Sequence, residues 1–279
     1  MLISDLTSEE IDALVQIGGL IRFSVPCEGG FQKNPESIEG KLETLYAPAR
    51  MEQRFAYFEQ LCLHTLKRQT DGNFTLGVLV GEDMPEVYRA RLDMLLKDFP
   101  PAKVITSPIM PHRKMIEQAY EAVFDQKTPY RLSFRLDDDD AVAIDYIETV
   151  RAKLPFLLMM SQGENPVCLS FSQGLTVLGD TGARRVIARH ERSPASAGLA
   201  VLGPAVLKPL VMMYHHMNIR MRMPTLLEPL EVMNFRSLHS SNDSRGILMP
   251  GVDVEMSDDE MRAVLQSRFG LDLGVIQAL

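Results

Sequence analysis

Four consecutive aspartates, Asp137 to Asp140, are the part of this 279-residue sequence best suited to chemistry. The alternating residues 130–136 before them predict a β-strand, and residues 141–147 after them predict the start of an amphipathic helix. Because like charges this close repel one another, a hard divalent cation commonly holds such carboxylates together. We therefore predict a metal site at the carboxyl end of a strand, where open α/β sheets bind ligands.

Simpler interpretations of the acidic run exist. Such a run can be a solvated turn or a helix start, where carboxylates favour the positive end of the helix dipole. Its position after three β-α units argues against this. A calcium loop of the EF-hand kind needs Asp-x-Asp-x-Asp-Gly spacing, which residues 137–142 do not have.

The elements that would position the aspartates alternate along the chain. Apolar or alternating segments predict four strands, and residues with three- and four-residue spacing predict helices between them. The strands are expected at 19–25, 74–80, 103–106 and 130–136, and the helices at 50–68, 86–99 and 113–124. The order β-α-β-α-β-α-β predicts a largely parallel sheet covered on both faces.

The second half of the sequence follows a different pattern. Short strands separated by glycine turns predict an antiparallel extension, at 167–171, 175–178 and 185–188. Residues 206–217 predict a helix, and residues 27–48 a long loop. Capping boxes at Thr7 and Ser257 predict two further helix starts.

Composition excludes several classes of protein. The net charge of −8 and the absence of a basic stripe argue against a nucleic-acid surface. Three widely spaced cysteines form neither a zinc pattern nor a disulfide framework. Because the apolar residues 195–213 are interrupted by Pro204, Lys208 and Pro209, we expect no transmembrane segment. With no signal peptide predicted, the expected location is cytoplasmic.

Residues 135–142 resemble the Asp-x-Asp motif of glycosyltransferases with the GT-A fold. Residues 58–74 and the following strand with Gly81–Asp83 look like the first helix, Gln-Thr turn and second strand of that fold. With residues 21–24 and 30–32, the ordered set over roughly 18–245 is similar to the bacterial family called "putative rhamnosyltransferases".

The resemblance implies an α/β fold of the GT-A (nucleotide-diphospho-sugar transferase) type. This is a Rossmann-like, mostly parallel central sheet with helices on both faces and a smaller antiparallel extension. One GT-A-like domain would span residues 1–279. Its nucleotide-binding half would be 18–140, its acceptor-side half 141–245, and its C-terminal helical tail 246–279.

The resemblance also implies a function: metal-dependent transfer of a sugar, with rhamnose suggested by the family name. The donor would be a nucleoside-diphosphate sugar, and the acceptor a glycan or another hydroxyl compound. The metal would be Mn²⁺ or Mg²⁺, since carboxylates suit both ions and imidazole is acceptable to manganese.

Site residues follow from the same resemblance. Asp137 and Asp139 occupy the two Asp-x-Asp positions, and a one-residue slip would give Asp138 and Asp140 instead. His239 would be a further metal ligand. The nucleotide sugar would contact Arg22, Phe23, Ser24, Asp83, Arg135, Asp137 and Asp138. Each of these could instead be an ordinary strand-end, surface or turn residue.

The catalytic base is the least defined part of the predicted site. An inverting transfer needs a carboxylate near the acceptor hydroxyl to take its proton. Glu191 is the candidate, with Glu164 and Asp180 behind it. If none of them serves, either the base lies elsewhere or the chemistry is retaining.

Two other functions compete with this interpretation. A non-catalytic glycosyltransferase-like module would bind nucleotide without transfer. A sugar nucleotidyltransferase shares the broad architecture, but its glycine-rich loop after the first strand is absent, because Gly18 and Gly19 precede the strand. The sequence leaves the donor nucleotide, the acceptor and the oligomeric state open.

Overall fold

The parallel half of the sheet contains the strands that lead to the aspartates. The computed structural model describes residues 6–28, 37–125, 127–180, 182–240, 248 and 250–279. The four strands lie in the order β3-β2-β1-β4, and every neighbouring pair is parallel. They are β1 (Val15–Arg22), β2 (Thr75–Gly81), β3 (Ala102–Ser107) and β4 (Tyr130–Asp137).

Helices cover both faces of this half. Successive residues of β1 belong to different hydrophobic clusters, Leu20 to one and Ile21 to the other, because side chains alternate along a strand. One cluster includes residues of α3, α5 and α7, and the other includes residues of α6. The helices up to this point are α1 (Ser8–Leu14), α2 (Ile38–Leu45), α3 (Pro48–Tyr57), α4 (Leu63–Leu66), α5 (Glu86–Leu96), α6 (His112–Val123) and α7 (Tyr146–Ser161).

A π-helical segment, Phe58–Cys62, joins α3 to α4 without a break. The Leu63 N–H donates to the Phe58 carbonyl, five residues earlier, so this turn is wider than an α-helical one. The turn that follows α4 is tied to the chain behind the aspartates. Gln69 Nε2 donates to the Ala143 carbonyl at 2.8 Å, and Gln69 Oε1 accepts from Ile147 N at 2.9 Å. These contacts hold α3 and α4 over the aspartate run.

The other half of the sheet is mostly antiparallel and begins at β4. Strands β8, β6, β7 and β10 follow one another outward from β4, each antiparallel to the last. Strand β9 pairs with β6 in parallel and with β5 in antiparallel orientation. The ranges are β5 (Ala141–Val142), β6 (Val167–Leu178), β7 (Arg185–Glu191), β8 (Ala200–Pro204), β9 (Thr225–Leu238) and β10 (Gly251–Val254).

This arrangement confirms the predicted fold class. The sheet is parallel in its first half, carries helices on both faces and continues into an antiparallel extension. In the C-terminal tail, α8 (Asp258–Val264) and α9 (Leu273–Ala278) are helices as expected. The same tail also adds β10 to the sheet, so it is not wholly helical. The division of the chain into a nucleotide-binding half and an acceptor-side half stays a prediction.

Four local predictions were wrong. Residues 141–147 do not begin as a helix, because Ala141 and Val142 pair with β9 and α7 starts only at Tyr146. Residues 206–217 do not form one helix but short 3₁₀ turns, since Pro209 interrupts the segment. The strands predicted at 167–171 and 175–178 are one strand, β6. The loop predicted at 27–48 contains α2.

Two glycines set the distance between β1 and its neighbours. A Cβ at Gly18 would lie 2.6 Å from a ring carbon of Phe124, and one at Gly19 would lie 2.2 Å from Phe134. Both distances are too short for a real side chain, so only glycine fits. The resulting register pairs Arg22 at the end of β1 with Asp137 at the end of β4.

Within the part of the chain that the structure describes, no helix is long and apolar enough to cross a membrane. Cys27, Cys62 and Cys168 are all buried, and no disulfide bond joins them. The cysteines thus act as small core residues.

Candidate functional site

The aspartate run turns the chain from the parallel half of the sheet to the antiparallel half. Asp137 is the last residue of β4, and the Asp140 N–H donates to the Asp137 carbonyl at 3.1 Å. Strand β5 follows at once and pairs with β9. Because the four aspartates themselves form this turn, their carboxylates point in different directions and each contacts different residues.

Asp137 faces the parallel half, where two arginines share it. Arg135 Nη2 donates to its carboxylate at 3.0 and 3.2 Å, and Arg22 Nη2 donates at 3.4 Å. Burial alone would raise the pKa of Asp137, but the charges of Arg135 and Arg22 outweigh it and lower that pKa below its usual value. Arg22 Nη1 also lies 3.4 Å from His112 Nε2 at the start of α6. Two fixed positive charges therefore meet one carboxylate here.

Asp138 and Asp139 point the other way, toward α3. Arg54 Nη1 lies 2.7 Å from Asp138 Oδ1 and 3.1 Å from Asp139 Oδ2, and all three residues are buried. Burial raises the pKa of Asp138 above its ordinary value, although the charge of Arg54 opposes this. His239 Nε2 lies 3.1 Å from the same oxygen, Asp139 Oδ2.

An aromatic residue fixes the His239 ring. Tyr57, the last residue of α3, stacks on it with ring centroids 4.5 Å apart and an interplanar angle of 12°. Arg184 donates to the Tyr57 hydroxyl, and its Nη1 donates to the Ile276 carbonyl of α9 at 3.3 Å. The chain of contacts from α9 to Asp139 therefore runs through Arg184, Tyr57 and His239.

Asp140 belongs to the antiparallel half. Its Oδ1 accepts from the Ser237 N–H of β9 at 2.9 Å, which holds the carboxylate inside the sheet. Burial and the charges of Asp139 and Asp137 raise the pKa of Asp140 well above its usual value. Arg236, also on β9, partly opposes this shift.

The predicted metal ligands are only partly brought together. Asp139 Oδ2 and His239 Nε2 are close neighbours, but Asp137 is occupied by Arg22 and Arg135. Among the described residues, no three His, Cys, Asp or Glu side chains are grouped as a metal site would require. The alternative register does not fit better, because Asp138 contacts Arg54 and Asp140 contacts Ser237. The residues as arranged do not fit a divalent metal, and the metal stays a prediction.

The predicted nucleotide contacts on β1 and β2 differ in their surroundings. The Phe23 side chain is fully buried between Phe55 and Phe58, at centroid distances of 4.9 and 5.0 Å, so it cannot touch a ligand. Ser24 has a positive φ of 49°, uncommon for a residue other than glycine, and its Oγ accepts from Arg50 Nη1 at 2.9 Å. Asp83 is exposed at the end of β2. Gly30–Gln32 lie outside the described residues.

Glu191, the predicted base, is the last residue of β7 and is buried. Its Oε1 accepts from Arg189 Nε at 3.2 Å, while its Oε2 has no hydrogen-bond partner among the described residues. Burial raises the pKa of Glu191 above its ordinary value, against the charges of Arg189 and Arg236. The charge of Arg236 opposes the rise in pKa at both Glu191 and Asp140.

Sequence reasoning missed several residues that surround the aspartates. Arg54 left a signal, since it lies between Met51 and Phe58 at helical spacing and so puts a charge on the apolar face of its helix. Tyr57, His112 and Arg236 left none, because their partners are distant in the sequence. The predicted residues that do meet at the site are Arg22, Arg135, His239 and the four aspartates.

Comparison with known proteins identifies the family. The sequence matches the model of the protein family described as "Putative rhamnosyl transferase" over residues 16–250. The chain belongs to this family. The matched region runs from β1 through β9 and includes every predicted site residue. This match confirms the predicted family.

Solved structures give more distant similarities. Residues 1–349 of S. aureus TarS in complex with UDP-GlcNAc match with 9% identity and a TM-score of 0.45, over 82% of this chain and 60% of that chain. A second structure of TarS residues 1–349 matches with 11% identity and a TM-score of 0.40, over 80% of this chain and 60% of that chain. This member of the rhamnosyl transferase family thus spans about 60% of the length of these two TarS chains.

A third solved structure is 4-diphosphocytidyl-2C-methyl-D-erythritol synthase from Anaerococcus prevotii DSM 20548. It matches with 9% identity and a TM-score of 0.36, over 92% of this chain and 98% of that chain. Among curated proteins, none matches this sequence. The assignment to the rhamnosyl transferase family therefore depends on the family match.

Proposed function

We propose that this protein transfers a sugar from a nucleoside-diphosphate donor to a hydroxyl group of an acceptor. The observation that carries the proposal is the pair Arg22 and Arg135 around Asp137. It lies at the carboxyl ends of β1 and β4, where parallel sheets bind phosphate-bearing ligands. Family membership supports the reaction class, and the family description supports rhamnose as the sugar.

The charges at this edge suit a diphosphate. Two guanidinium groups lie beside one carboxylate at this edge. Arg135 Nε is buried and has no hydrogen-bond partner among the described residues, an unusual state for such an atom. Guanidinium groups donate paired hydrogen bonds that match phosphate oxygens. Arg22 and Arg135 would therefore bind the diphosphate and stabilise the charge that develops on it as the sugar leaves.

Glu191 would act on the acceptor. A carboxylate with a raised pKa is better suited to accept a proton near neutral pH than an ordinary glutamate. Its Oε2, which no described residue contacts by a hydrogen bond, would take the proton of the acceptor hydroxyl as the new glycosidic bond forms. This assignment requires an inverting reaction, in which a base acts on the face of the sugar opposite to the leaving diphosphate.

A metal, Mn²⁺ or Mg²⁺, stays a prediction from the sequence. If one binds, Asp139 and His239 are the residues closest to holding it, since their ligand atoms lie 3.1 Å apart. Its chemistry would be to neutralise charge on the two phosphates. The steps assigned to Arg22, Arg135 and Glu191 do not depend on it.

The test is a panel of nucleoside-diphosphate sugars that differ in base and sugar, with rhamnose included. Ligand binding is measured by the shift in melting temperature, because a ligand that binds only the folded state must stabilise it. Transfer is measured by release of the nucleoside diphosphate with acceptors present. We expect one donor to give both signals, and Arg135→Ala to lose both while the exposed control Arg113→Ala keeps them.

Other outcomes distinguish the rival functions. Binding without release, with any acceptor, would favour a non-catalytic module. Release of pyrophosphate from a nucleoside triphosphate and a sugar phosphate would favour a nucleotidyltransferase. No binding by any donor would contradict the proposed donor site.

A further inference from the structure

The guanidinium group of Arg54 lies where the sequence predicts a divalent cation. Arg54 Nη1 lies between two carboxylates, 2.7 Å from Asp138 Oδ1 and 3.1 Å from Asp139 Oδ2. The second oxygen is the one that also contacts His239 Nε2 at 3.1 Å. Asp139 and His239 are the two predicted metal ligands that the fold does bring together. The Arg54 guanidinium therefore contacts Asp139 Oδ2, the oxygen atom that a metal at this position would need as a ligand.

A guanidinium in this position opposes a metal in two ways. Arginine remains charged at any pH that the folded protein tolerates, so it repels a divalent ion. It also uses the Asp139 oxygen as a hydrogen-bond acceptor, and a metal bound at about 2.0–2.2 Å would compete for that oxygen. A metal could enter only if Arg54 moved away.

Local structure keeps Arg54 in place. It lies on the inner face of α3 beside Phe55, which is fully buried, and its own exposure is 5%. The next turn of this helix carries Tyr57, whose ring stacks on His239. Moving Arg54 away would separate its charge from the buried carboxylates of Asp138 and Asp139, and breaking a buried ion pair is costly.

We infer that Arg54 is the resident counter-ion of Asp138 and Asp139, and that donor binding in this protein does not require a divalent metal. The inference rests on the proposed donor site. In this inference, Arg22 and Arg135 bind the negative charge of the diphosphate, and they lie on the opposite side of the turn from Arg54. The aspartate run then has a structural role on its buried side and a ligand-facing role at Asp137.

The first test measures nucleoside diphosphate binding by calorimetry, in excess EDTA and in excess Mn²⁺ or Mg²⁺. We expect the dissociation constant to differ by less than about tenfold between the two conditions. Binding that appears only with metal would overturn the inference and leave the proposed function intact. Binding in neither condition would contradict the proposed function, and the second test would then decide the inference alone.

The second test uses Mn²⁺ without nucleotide. Paramagnetic resonance counts free aqueous Mn²⁺ during a titration, and the melting temperature is followed in parallel. We expect no stoichiometric binding by the wild type. Arg54→Ala removes the resident cation from two carboxylates and His239, so it should gain Mn²⁺ binding and be stabilised by it.

Arg54→Lys is the matched control, since it keeps the charge and should not gain Mn²⁺ binding. If Arg54→Ala does not fold, the wild-type titration and the calorimetry still decide the matter. Stoichiometric Mn²⁺ binding by the wild type, or equal binding by the lysine and alanine variants, would contradict the counter-ion role of Arg54.

Discussion

The two ends of the aspartate run show how differently four identical residues can be used. Asp137 is partly exposed, with 30% of its side chain accessible, and is paired with two arginines from parallel strands. Asp140, three residues later, is buried and contacts a backbone N–H of β9. Arginine charges lower the pKa of Asp137, whereas burial raises that of Asp140. The turn between them, rather than the sequence composition, separates a ligand-facing carboxylate from a structural one.

The comparison extends to the two halves of the site. On the parallel side, Arg22 and Arg135 both contact Asp137, which places two guanidinium groups at the strand ends. On the buried side, the single positive charge of Arg54 is shared by the carboxylates of Asp138 and Asp139. Ligand affinity should therefore depend on the first side, and the stability of the fold on the second.

The largest effect on stability is expected from Arg54→Met. This change leaves two buried carboxylates without their cation, and breaking a buried ion pair typically costs about 3–5 kcal/mol. Urea unfolding measures the loss. Arg135→Met, on the parallel side, should cost about 1 kcal/mol or less, because Arg22 still contacts Asp137 and exposed pairs contribute little. Equal losses in the free energy of unfolding for the two variants would show that the buried side and the parallel side of the site contribute equally to stability.

The next largest effect concerns catalysis. Glu191→Gln keeps the shape of the side chain but cannot accept the acceptor proton, so the transfer rate should fall by about 100-fold or more. Donor binding should not change. The control is Asp253→Asn, which alters an exposed carboxylate on the same partner, Arg189. Equal rates for wild type and Glu191→Gln would remove Glu191 from the mechanism.

The pH dependence of transfer gives a separate check on Glu191. A base must be deprotonated, and burial raises the Glu191 pKa above its ordinary value of 4.5. The transfer rate should therefore rise with pH through a midpoint above that value. A rate that stays level across the mildly acidic range would contradict this role.

A smaller effect is expected from Tyr57→Phe. The change keeps the ring that stacks on His239 but removes the hydroxyl that accepts from the buried Arg184. Leaving a buried donor without its acceptor should cost about 1–3 kcal/mol in the free energy of unfolding. Thermal unfolding tests this, with Tyr214→Phe, a half-buried tyrosine of the 3₁₀ region, as the control. Donor affinity should stay near the wild-type value, because the change touches only the buried side.

The effect that is smallest at neutral pH is the one on the pH dependence of stability, through His216. Burial, and then Arg135 and Arg236 from the two sides of the site, lower its pKa to about 4. In the unfolded chain His216 therefore becomes protonated near pH 6.5, whereas in the folded protein it stays neutral until about pH 4. The free energy of unfolding therefore falls as the pH drops from about 6.5 toward about 4. His216→Gln should flatten this decline, whereas the exposed control His190→Gln should not. If stability fell equally steeply with pH in both variants, burial and the charges of Arg135 and Arg236 would not lower the pKa of His216 as described.

Much of the parallel half could be predicted because its strands are continuous apolar runs between turns. Strands β2, β3 and β4 begin or end within one or two residues of their predicted limits. The antiparallel half was harder, because its pairing depends on distant partners. Residues 141–142 are a strand only because β9 lies beside them, and nothing in residues 206–217 shows that they form separate 3₁₀ turns except Pro209.

The site followed the same rule. The aspartates and Arg22 could be found because the strand order places their ends together. The direction of each carboxylate could not, since it depends on side chains 84 to 115 residues away, such as Arg54 and Arg22. The sequence suggested a metal because it shows the negative charges side by side, whereas Arg54 and Arg22 lie far from them along the chain.

The π-helical segment Phe58–Cys62 has a consequence for the rotational phase of its helix. Arg54 and Tyr57 precede it and face the aspartates, while Leu63 and Leu66 follow it and face the core. Each residue of an α-helix turns the chain by about 100°. If Phe58–Cys62 wound as a regular α-helix instead, the residues after it would be rotated relative to those before it, and one set of side chains would turn away from its partners. The wide turn of this segment therefore keeps Arg54 on the aspartates and the leucines in the core.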